Sequence, residues 1–170
     1  MATMLSKVEH RELPPAVAGG QPVPTSGKDV LQVLNHLESL LPLPRKHREL
    51  SPALRSVHRI ILQTLVDTGK APTQGRIAAI LGSKAAALEA LGQFKAADLV
   101  VLSAPVVFNE KTKQHVADAA AEIVGAYPMS TQATAHKVTS NGQTVNAMCA
   151  VDALSISAMF GRETQIESKC

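Results

Sequence analysis

Tryptophan is absent from this sequence, tyrosine occurs once and phenylalanine three times. That scarcity disfavours a core built on stacked rings, such as an aromatic-rich β-sandwich. Ala, Val, Leu and Ile must fill the interior instead, which favours closely packed helices. Cysteine is nearly as rare, with only Cys149 and the terminal Cys170 in 170 residues. Two thiols make no disulfide framework, so the expectation is a reducing, cytosolic location in which both stay thiols. No stretch reaches the ~20 apolar residues of a membrane helix. The N-terminus has no apolar segment followed by a small-residue cleavage site. A strong charge imbalance is missing too, the formal net charge being +3. The clearest basic cluster, Arg45, Lys46, His47 and Arg48, lacks the aromatic platforms common on nucleic-acid surfaces and reads as a solvated loop.

What is present divides the chain. Residues 1–27 contain four closely spaced prolines (Pro14, Pro15, Pro22, Pro24) and the pair Gly19–Gly20, and read as a flexible leader. Residues 28–42 place Val30, Leu31, Leu34, Leu37 and Leu41 at helical spacing, with Pro42 and Pro44 ending that helix. At 51–67, Ser51 is an N-cap and Pro52 occupies the first helical position. A short helix comes next over 73–82, with Thr73 as cap and Gly82 as stop. Residues 83–102 predict a further helix, a turn and a strand at Leu99–Leu102. This order is that of a winged helix, whose third helix reads DNA in a regulator. Here that helix offers Lys84, Glu89, Gln93 and Lys95 separated by alanines, a poor reading face.

Residues 109–122 predict either an exposed helix or a charged insertion in the wing. A strand is expected over 122–127. Asn141-Gly142 between two short runs predicts a hairpin over 135–148. A helix is expected over 149–161, stopped by Gly161, and then an edge strand over 164–168, which invites dimerisation through its unpaired side. The implied fold class is α+β: a leader (1–27), a winged-helix-like helical domain (28–102), and a small portion built of hairpin, helix and strand (103–170).

Cys149 is the residue with the clearest chemistry. The hairpin delivers it to the start of a helix, where free amides and the helix dipole stabilise an anion and so favour thiolate. Asp152 lies three residues on, one turn along the same face. A carboxylate beside a thiolate is unfavourable unless a cation lies between them. A soft cation binds thiolate strongly and accepts carboxylate as a further ligand, so the pair suits a soft metal better than a protease dyad. A Cys–His nucleophile needs a positioned histidine, and His136 is the nearest in sequence. His10, His36, His47, His58 and His115 show no ligand spacing and read as structural or surface residues.

Four segments in order, GAYPMS (125–130), AHKV (135–138), NAMCAVDAL (146–154) and GRETQIESKC (161–170), resemble the organomercurial (alkylmercury) lyase family. The likeness spans roughly residues 30–170, and that family also carries a winged-helix-like segment where residues 51–102 lie. The resemblance implies protonolytic cleavage of a carbon–mercury bond, with Cys149 as the thiolate that captures mercury. Asp152 would help deprotonate a thiol, deliver the proton to the leaving carbon and then help hold Hg(II). It implies no resident cofactor, mercury being substrate and product. Its partners would be an organomercury compound, small external thiols and a mercuric-ion acceptor protein. The family's second catalytic cysteine lies downstream of the position matched by Cys170, which corresponds to a structural cysteine. Much of the family's C-terminal catalytic part has no counterpart here either, so the expectation is a truncated family member with weak or no turnover. Cys170 swinging in as a substitute mercury ligand, or a shortened relative that binds metal without cleavage, are the other two explanations. The alternatives are a winged-helix transcriptional regulator and a thiol-based metal-binding protein without catalysis.

Overall fold

Three helices form where caps and apolar stripes predict them. In the computed structural model, which describes residues 43–169 together with 26–28, 31, 32 and 36, Ser51 caps helix α2 (Pro52–Thr68) by accepting the Leu54 N–H at 3.3 Å. The left-handed Gly69 closes it. Thr73 caps α3 (Gln74–Leu81) through Arg76 N–H, and left-handed Gly82 ends it. Ser83 caps α4 (Lys84–Ala96) through Ala86 N–H. Each cap satisfies an amide that the first helical turn leaves unpaired. Ahead of them lies α1 (Leu43–Glu49), which corrects the expected solvated loop at 45–48. Pro44 lies in the first turn of this helix, where a proline removes an N–H that had no intrahelical partner; the expected end of the preceding helix at Pro42 lies outside the described residues. The leader falls outside the described residues apart from Ser26 and Gly27. So does most of the expected helix at 28–42, of which Lys28, Leu31, Gln32 and His36 are helical.

The sheet is larger than the sequence suggests. Strands β1 (Val100–Leu102), β4 (Ile123–Ala126), β5 (Met129–Ser130), β6 (His136–Ser140), β7 (Gln143–Ala147) and β8 (Gln165–Ser168) form one six-stranded sheet in the order β1-β4-β5-β7-β6-β8. Every pairing in it is antiparallel. Asn141 and Gly142 both take positive φ (50° and 76°), as a two-residue β6–β7 turn requires. Residues 103–121 are not helical. They form a separate hairpin of β2 (Val106–Asn109) and β3 (Gln114–Ala117), which settles the open choice at 109–122 against an exposed helix. Its turn is held by the Asn109 side chain, which accepts from the N–H groups of Lys111 and Thr112.

The chain divides into two units, Met1–Leu41 and Pro42–Cys170, and helices α1 to α4 and all eight strands belong to the second. The core of that unit joins Ile61 and Leu65 of α2, Leu91 and Phe94 of α4, and sheet residues such as Val138. Burial of each large apolar side chain contributes about 1.5–3 kcal/mol. Helix α4 lies so close to the hairpin that a Cβ on Gly92 would sit 2.1 Å from the His115 carbonyl oxygen. Helix α5 (Ala150–Phe160) packs against β6, β7 and β8. Among the described residues, no helix is long and apolar enough to cross a membrane.

Candidate functional site

The segment leading to Cys149 is fixed before the helix begins. Ala147, the last residue of β7, is fully buried, and its carbonyl accepts from Thr134 Oγ1 at 2.7 Å. The next residue, Met148, donates its N–H to the Pro128 carbonyl at 3.1 Å, just after the cis Tyr127–Pro128 bond. The Met148 side chain lies over Gly125, where an added Cβ would stand 2.6 Å from its methyl carbon. These contacts leave Cys149 at a defined point, extended at φ −149° and ψ 177°.

Cys149 is the N-cap of α5. Its Sγ accepts the Asp152 N–H at 3.4 Å, and its carbonyl accepts the Ala153 N–H at 3.0 Å. The thiol is exposed, while Asp152 is half-buried in the first turn. Asp152 is held through its backbone, its carbonyl accepting from Ser155 Oγ at 2.7 Å. Sulfur therefore sits over the amide of the residue that bears the carboxylate. A cation bridging the two would meet a solvent-accessible thiol and an acid within one helical turn.

The far end of α5 is anchored as firmly. Left-handed Gly161 closes it, and Ser140 Oγ donates to the Glu163 carbonyl. Arg162 donates to Asp67 of α2 at 2.7 Å. Hydrogen bonds from Gln63 and Arg162 hold the Asp67 carboxyl below its usual value.

Of the residues singled out from sequence, Cys149 and Asp152 meet through the Asp152 backbone N–H on the Cys149 sulfur, and Cys170 lies outside the described residues. His136 is engaged elsewhere, its Nδ1 standing 3.0 Å from Ser168 Oγ. Among the described residues, no three His, Cys, Asp or Glu side chains gather to hold a metal ion. Two histidines with no evident relation in the sequence do meet: the rings of His47 and His58 lie 5.3 Å apart. Ten residues and a helix break separate them, so no local spacing signals the contact.

Residues 129–170 match the family model of alkylmercury lyase, nearly the stretch on which the sequence resemblance rests. The resemblance to the organomercurial lyase family is thus shown over the segment that holds Cys149 and Asp152. No curated protein matches the chain. A similar solved structure is the mercury-bound form of MerB2, 20% identical with a TM-score of 0.55 over 75% of this chain. That likeness is one of fold, and the chain covers 55% of that structure's length.

Proposed function

We propose that this chain, whose residues 129–170 carry the alkylmercury lyase pattern, acts on organomercury compounds through Cys149 and Asp152. The observation supporting this reading is the exposed Cys149 thiol at a helix N-cap, bonded to the amide of Asp152. The Asp152 carboxylate takes the thiol proton. The resulting thiolate displaces a small thiolate from R–Hg–SR′, forming a Cys149 sulfur–mercury bond. The proton held by Asp152 then passes to the carbon as the carbon–mercury bond breaks, and the hydrocarbon RH leaves. Hg(II) remains between thiolate and carboxylate until external thiols remove it. Protonation spares the release of a free carbanion, and general acid help of this kind is typically worth ~10²–10⁴-fold.

With one thiol at the described site, capture is expected to be strong and turnover slow. We read α2–α4 and the β2–β3 hairpin as a winged-helix-like module that serves the fold and not DNA. In support, α4 turns Ala87, Leu91 and Phe94 into the core and Gly92 onto the hairpin. We place the protein in the cytosol, where small thiols are abundant.

The test incubates the protein with phenylmercury and excess small thiol, then measures released benzene and protein-bound mercury. Stoichiometric retention of mercury with slow benzene release is expected. Asp152→Asn should still retain mercury but release benzene about 10²–10⁴-fold more slowly. Failure to retain mercury, or equal benzene release by the variant, contradicts the proposal.

A further inference from the structure

A cavity of about 320 Å³ lies between α1, α2 and the end of α5, lined by His47, His58, Arg59 and Met159 among others. His58 is 4% exposed, and neither of its ring nitrogens makes a well-formed hydrogen bond. One ring nitrogen has the Leu99 backbone near it in less than full hydrogen-bond geometry; the other buried nitrogen is left without a partner, which is costly and calls for an explanation. The Phe94 ring, 5.6 Å away, offers no acceptor.

The two imidazoles stand 5.3 Å apart with their planes tilted by 54°. This is not a stacked pair. Two imidazoles bound to one tetrahedral ion, with nitrogen–metal distances of about 2.0–2.1 Å, place their centroids about 5 Å apart. Met159, a residue 49% exposed, lines the same cavity, and its thioether, which accepts a weak contact from Ser155 Oγ at 3.9 Å, offers a soft third donor.

We propose that His47, His58 and Met159 form a binding site for a soft monovalent d¹⁰ cation of the Cu(I) and Ag(I) class. Two imidazoles and a thioether are a soft to borderline donor set with no anionic ligand. The nearby positive charges of Arg55 and Arg59 disfavour a divalent ion more than a monovalent one. His58 is pushed down to about 4 by burial and then by His47, with the Leu99 backbone opposing the fall. His47 is lowered by burial, then by Arg55 and Arg59. The Leu99 backbone stands where a second-shell acceptor commonly orients a metal-bound histidine.

This site shares no residue with the Cys149–Asp152 pair, from which Met159 is about 10–15 Å distant along the helix. Its test therefore does not depend on the mercury chemistry. Silver(I) is titrated into the Cys149→Ser/Cys170→Ser variant of this 170-residue chain, which removes the competing thiols. Binding is followed by calorimetry and by nuclear magnetic resonance of the histidine rings and methionine methyl groups. The expected result is one site, with His47, His58 and Met159 signals moving in step. Met159→Leu and His47→Gln, both at partly exposed positions, should each weaken silver binding at least tenfold while leaving the thermal melt unchanged. No change at those three signals, or unaltered affinity in both variants, overturns the proposal.

Discussion

Helices α4 and α5 are both rich in apolar residues, yet they are covered very differently. In α4, Ala87, Leu91 and Phe94 are at 0% exposure, and Gly92 lets the hairpin approach its backbone. In α5, Ala153 and Ile156 are sealed, whereas Val151 and Leu154 are 74% and 67% exposed. The first helix is a closed structural element that offers little surface. The second is capped by Cys149 at one end and tied by the Arg162–Asp67 pair at the other, and leaves an apolar flank open beside an exposed thiol. Apolar composition alone therefore does not mark a core helix. What separates these two is whether neighbouring elements cover the outer face.

The comparison can be tested by substitutions graded by expected effect. Phe94→Ala should cost about 3–5 kcal/mol, the range for deleting a buried aromatic ring, measured by urea unfolding. Gly92→Ala should cost about 1–3 kcal/mol or more, because the added methyl meets the hairpin backbone. That strain exceeds the ~0.5–1 kcal/mol that alanine gains over glycine in a helix. Should Gly92→Ala prove stabilising, the close approach of α4 to the hairpin would be wrong.

The end anchor of α5 should matter less. Arg162→Ala removes a partly exposed pair and should cost about 0.2–1 kcal/mol. The Asp67 carboxyl is depressed by Gln63 and then by Arg162. Its contribution is present above the ordinary carboxyl value and is lost as pH falls through the lowered one. Wild type and Arg162→Ala should thus differ in stability at neutral pH and converge in acid. Leu154→Gln on the open flank should change stability by no more than about 0.5 kcal/mol. A loss as large as that of Phe94→Ala would mean that α5 is covered after all.

Much of this fold is legible where the signal is local. Ser51 with Pro52, Thr73 with Gly82, Asn141-Gly142 and Gly161 each impose a backbone geometry on their own neighbours, and each predicted boundary falls within a residue or two of the observed one. The position of Cys149 at a strand–helix junction is legible for the same reason. Four features are not. Pro44 looks like a helix stop, but proline is equally suited to a first turn, and only the residues after it decide between the two roles. The β2–β3 hairpin turns through Asn109 and a positive-φ Lys113 without a glycine to mark it. The meeting of His47 and His58 depends on tertiary packing that no spacing encodes. The pairing of β1, β4 and β5 with the later hairpin is likewise a long-range matter.

The central claim is that Cys149, capping α5 beside Asp152, is the group that takes mercury. The most direct measurement is mercury retained after phenylmercury treatment and desalting, compared among wild type, Cys149→Ser and Cys170→Ser. Loss of stoichiometric retention in Cys149→Ser, with most of it preserved in Cys170→Ser, is the predicted result. Unchanged retention in Cys149→Ser would contradict it.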